Sequence, residues 1–149
     1  MGRDTGFGLY GPDDAIKELY DSAPAWCADG ADLTLYADGM AALDFLYWRN
    51  QHRLASAFEE VFGPGDSSSP RSIWTGQDEF IGVEVDPGMF RLVSDRLAAF
   101  VVNWDELEYD LNEWFLRELG VQIGRAAYWN AQRDEMERLG VKFFWYDSY

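Results

Sequence analysis

The chain has 149 residues and carries 27 acidic against 12 basic side chains, a formal net charge of -15, yet 17% of its residues are aromatic. That aromatic content excludes the low-hydrophobicity composition of a disordered acidic tail and points to a folded domain with an anionic surface. Its pI near 4.2 opposes direct binding to nucleic acid or anionic lipid and favours a basic partner.

The length suits a single acidic globular domain over residues 1–149, large enough to bury ~70% of the surface its unfolded chain exposes. The start, Met1-Gly2-Arg3-Asp4, has no apolar stretch of the signal-peptide kind. No apolar run approaches the ~18 residues of a membrane span, so the expected location is cytoplasmic, that of the host cell if the chain is phage-encoded. The one cysteine, Cys27, lies in Ala25-Trp26-Cys27-Ala28 and reads as a buried, inert thiol.

The first segment, Gly6-Phe7-Gly8-Leu9-Tyr10-Gly11, spells the glycine spacing of a dinucleotide loop. It has only five residues before it and two aspartates after it, so it reads as turns. Pro12-Asp13-Asp14 then opens a helix, with proline in the first turn and carboxylates at the positive dipole end, running to about Ser22. Asp32 to Tyr36 alternates as a short strand.

Asp38 reads as a cap for a long helix from Met40 to Phe62, because Leu43, Leu46, Tyr47, Leu54, Ala57, Phe58 and Val61 recur at threes and fours. Its other side would gather Phe45, Trp48, Arg49 and His52 as an aromatic-basic contact patch or a second packing face.

Gly63 to Ser72 is a polar loop. Its Gly65-Asp66-Ser67 echoes some lipases, but a triad needs a placed histidine, and His52 is the only one. Glu79 to Val85 reads as a strand, followed by helices over about Met89–Val102, Trp104–Leu119 and Val121–Leu139 and an aromatic strand from Val141 to Tyr146. The sum is an α+β fold: a small sheet of short strands covered by four or five helices.

One Cys and one His fall short of a zinc ligand set, the aspartate-glycine turns lack calcium-loop spacing, and carboxylates are too abundant for any pair to single out magnesium. The expectation is no metal and no cofactor. From Asp78 to Glu118 there are 11 acids and 3 bases, net -8, more than half the excess. In the helix expected there, Leu107, Leu111 and Trp114 face one way. The row Asp105, Glu106, Glu108, Asp110 and Glu113 lies on the opposite side and its flanks, as a candidate partner-binding face or a solvated one.

Several stretches together resemble a group of small proteins of tailed phages and prophages without assigned function. They are Met1-Gly2-Arg3-Asp4 with Tyr10, Tyr47-Trp48-Arg49 with Leu54 and Phe58, Phe80 to Leu97, and Phe143 to Tyr149. That group tends to carry Asn and His where this chain has His52 and Ala55. The resemblance implies a phage or mobile-element origin. With the charge it gives the leading expectation: a non-enzymatic inhibitor that blocks a basic host protein, as an anti-defence factor, an anti-CRISPR candidate or a nucleic-acid mimic. An immunity-type protein neutralising a toxin, or a small enzyme using His52 or a carboxylate pair, are the alternatives.

Overall fold

Asp4–Pro12 forms the central strand of the sheet, β1, rather than turns. In this computed structural model, which describes residues 2–76, 78–102 and 113–149 (side chains of 102 and 113–116 excepted), six strands pair antiparallel throughout. They are β1, β2 (Asp32–Leu35), β3 (Met40–Arg49), β4 (Ser72–Trp74), β5 (Phe80–Val85) and β6 (Lys142–Ser148), in the spatial order β2-β3-β1-β6-β5-β4. The described helices are α1 (Asp13–Ser22), the single turn α2 (Ala25–Ala28), α3 (His52–Phe62), α4 (Arg91–Val102), α5 (Glu113–Ala131) and α6 (Arg133–Leu139). The α+β class stands as expected, with a sheet whose central strands are longer than the sequence indicated.

β1 tolerates its glycines because of what lies over them. Phe7 and Leu9 point to the helix side and are fully buried, while Gly6, Gly8 and Tyr10 face the other side. A Cβ on Gly8 would sit 2.5 Å from the Phe144 ring, one on Gly6 2.5 Å from the Tyr146 hydroxyl, and one on Gly82 of β5 2.5 Å from Phe144. These glycines are places where aromatic rings lie directly on the backbone.

The expected helix from Met40 to Phe62 is a strand and a helix. A β-bulge explains the misleading period. Phe7 pairs with Leu46 and Gly8 with Asp44, so Phe45 is the extra residue. Ala41, Leu43 and Phe45 face the helices at spacing two. The bulge then turns Leu46 and Trp48 to the same side. The step of three from Leu43 to Leu46 is helical spacing produced by a strand. Asn50, at φ 59°, breaks the strand before α3.

The helix-covered face holds the main core. Phe90 stacks on Phe143 at 3.9 Å between centroids, Phe7 meets Phe58 edge-on at 4.9 Å, and Phe45 packs on Trp129 at 5.6 Å. α5 continues through Gly120, where the sequence suggested a break. Outside its own helix backbone no atom of the described residues lies within 4 Å of a Cβ placed there, and a solvent-facing glycine costs about 1 kcal/mol without ending a helix. Gly140 does end α6, at φ 72°, as read from the sequence.

The second face has its own smaller core of Tyr10, Ala42, Ile81 and Phe144. The backbone N–H of Gly76, beyond β4, donates to Asp38 Oδ2, beyond β2, at 3.2 Å. That bond joins loops from the two outermost strands, so the sheet curls around Phe144 at this end. At the other end Arg3, 4% exposed, donates to both Asp147 oxygens (2.8 and 2.6 Å) and to the His52 carbonyl, tying the N-terminal segment to β6 and α3.

Candidate functional site

Among the described residues the sheet leaves a five-residue stretch of strand edge without a partner beyond the end of β2. β2 pairs with Ala41 to Asp44 and stops at Asp32, while β3 continues to Arg49. Among the described residues no strand lies outside Phe45–Arg49. The Asn50 N–H donates to the Arg3 carbonyl at 2.8 Å. By the alternation of an antiparallel ladder, Trp48 and Leu46 then bond inward to β1, and Tyr47 and Arg49 turn their N–H and C=O outward.

Beside that edge is a notch of about 820 Å³. The Gly30–Asp32 segment and Asp44 form one wall, with Tyr146 behind them, and Glu118, Gln122 and Arg125 of α5 form the other. The α5 wall is fixed by a buried hydrogen bond from Trp48 Nε1 to Gln122 Oε1, 2.6 Å long. Arg125 Nε donates to the Trp26 carbonyl at 3.4 Å.

Asp44 is the chemically distinct group of the notch. It sits opposite Gly8 on β1 and opposite Asp32 on β2. Its Oδ1 is buried and has no hydrogen-bond partner among the described residues, and the same holds for Gln51 Oε1 in the same notch. Burial, and secondarily the charge of Asp32, pushes the Asp44 carboxyl up to about 7. Burial also raises the Tyr146 phenol, with Asp44 adding to the effect. Tyr47 donates its hydroxyl to Asp4 Oδ1 at 2.6 Å, and that bond, more than burial, raises its phenol.

The residues singled out from sequence fall in different places. Phe45, Trp48 and Arg49 do line one site, on a strand rather than a helix: the two aromatics are 3% exposed and form its base, and Arg49 is exposed at its end. His52 is not with them. It opens α3 on the surface and lines a shallow depression with Arg53 and Glu60. Asp105, Glu106, Glu108 and Asp110 lie outside the described residues; Glu113 begins α5, its side chain likewise outside the description. Ser67 belongs to a turn that Asp66 organises by accepting from Ser68 N–H (2.9 Å) and its hydroxyl. Cys27 is fully buried, and burial pushes its thiol up to about 11.

Sequence reading missed Asp44 and Asp32 as a pair. Both were visible as acids, but only the β2–β3 register makes them neighbours. Among the described residues no group of three or more His, Cys, Asp or Glu is placed to hold a metal ion, and no helix is long and apolar enough to cross a membrane. The chain matches no family model, no curated protein and no solved structure.

Proposed function

We propose that this chain is a non-enzymatic acidic binding protein that occludes a basic host protein, of the kind that itself binds nucleic acid. The observation that carries this reading is the charge of -15 on a chain with an extensive aromatic core. Such a surface attracts a cationic partner with fast, salt-dependent association. The phage or mobile-element origin that the resemblance implies would make that partner a host protein. Capture on the tagged protein from host lysate tests it. A stoichiometric basic partner, held at low salt and released at high salt, is the expected result; no such partner overturns the reading. Within that partner's contact surface, neutralising Glu106, Asp110 and Glu113 together should weaken binding and flatten its salt dependence, and unchanged affinity removes that row from the interface.

An immunity-type protein would use the same mechanism against a toxin, and a toxin gene beside this one would mark it. The enzyme alternative is favoured by one observation: the carboxylate pair Asp32 and Asp44, with Asp44 near 7 in a cavity, has the form of an acid-base group. For an enzyme, Asp44→Asn abolishes biological function while partner capture stays intact. For a binder, function is not lost while capture stays intact.

A further inference from the structure

We propose that the outer edge of β3 from Phe45 to Arg49 accepts an extended, lysine- or arginine-bearing segment of the partner as an added antiparallel strand, in line with β2. This rests on the basic-partner reading above and gives it a site and a geometry.

Five residues of strand offer about 16 Å of edge, with the Tyr47 and Arg49 backbone groups facing outward. Folded proteins usually blunt such edges. The opposite edge is blunted: β4 has three residues, is bulged between Ile73 and Trp74, and is followed by a loop bonded to Asp38 through Gly76. The β3 edge instead faces the 820 Å³ notch. A strand needs about 4.8 Å of lateral room, and it would lie between the Asp32 wall and α5.

Register then fixes chemistry. A residue paired with Tyr47 points its side chain to the face of Tyr47, the face that also carries Asp44 and Tyr146. The groups facing that side chain include Asp32, Asp44, the Tyr146 and Tyr47 phenols and Asp4, with Arg49 at the end of the strand and Glu118 and Arg125 across on α5. The buried acceptors Asp44 Oδ1 and Gln51 Oε1 await donors, which lysine and arginine supply and acidic or apolar residues do not. A second copy of this chain is the other way to pair an edge, but it would bring two charges of -15 together and set acid against acid. Charge therefore selects a cationic strand over self-association.

The test uses the full chain and a seven-residue synthetic peptide alternating lysine with valine and threonine. Two controls accompany it: its glutamate counterpart, and a version N-methylated at the residues whose N–H would face β3. The lysine peptide should bind and slow amide exchange at Tyr47 and Arg49. N-methylation should cost at least about tenfold in affinity, since it removes ladder hydrogen bonds. The glutamate peptide should not bind. Asp44→Asn, which keeps shape and removes charge, should weaken the lysine peptide several-fold. Equal binding of the N-methylated peptide, or binding without protection at Tyr47 and Arg49, overturns strand addition; a salt-sensitive basic partner captured from lysate would then still stand. Protection of those amides in a dimer without peptide overturns it too, by making a second copy the occupant. Strand addition by the peptide with no basic partner in lysate would instead refute the functional reading and keep the site.

Discussion

The two faces of this sheet are built by opposite means. On the helix side, large rings interlock: Phe7, Phe45, Phe58, Phe90, Phe143 and Trp145 are all buried. On the curled side the sheet offers bare backbone at Gly6, Gly8 and Gly82, and the rings of Phe144 and Tyr146 lie on it. One face fails when a side chain is removed, the other when one is added. The notch lies at the strand edge where the two faces meet, lined by Phe45 and Trp48 from one and Asp44 and Tyr146 from the other.

The largest effects should come from breaking each face by its own route. Phe143→Ala removes the stacking partner of Phe90 and should cost about 3–5 kcal/mol in urea unfolding, as truncation of a buried aromatic does. Gly8→Ala adds only a methyl group, but that atom meets the Phe144 ring and the Leu43 carbonyl at 2.5 and 2.6 Å. It should cost about 1–3 kcal/mol by overpacking, and Phe144→Leu in the same chain should recover part of the loss. Simple additivity of the two would show that Gly8 is not held by the ring.

Next in size is a pH-dependent effect at the notch. Asp44 has an ordinary value of 3.8 and is pushed to about 7 in the folded chain, chiefly by burial. The folded state thus holds the proton more tightly than the unfolded state. Asp44 costs no stability below its unfolded pKa; the penalty grows as pH rises from about 4 to about 7 and is constant above that. Asp44→Asn should therefore stabilise the protein by on the order of a few kcal/mol at pH 8 and by little at pH 4. An equal gain at both pH values would contradict burial of the charged carboxylate. The smallest effect is a gain: Gly120→Ala on the open side of α5 should add about 0.5–1 kcal/mol.

How much could be read beforehand follows the same division. α1, the helix end at Gly140, and β6 rest on local signals and were legible, whereas the break at Gln132 that divides the expected Val121–Leu139 helix into the end of α5 and α6 carries no such signal. β1 was hidden because its glycines make sense only under Phe144 and Tyr146, which arrive from the far end of the chain. β3 was hidden because one bulged residue, Phe45, turns strand spacing into helix spacing. Phe45, Trp48 and Arg49 were recognised as belonging together, but for a helical reason. The pairing of Asp32 with Asp44 depends on a hairpin register that composition does not carry. Gly120 was over-read, since a helix can absorb a glycine that faces solvent.

The most direct test of the central claim is a nuclear Overhauser measurement on the complex with the lysine peptide. Strand addition predicts backbone-to-backbone contacts between the peptide and Tyr47 and Arg49, in antiparallel order, with a lysine side chain beside Asp44. Contacts confined to the solvent face of α5, with the Tyr47 and Arg49 backbones unperturbed, would contradict it.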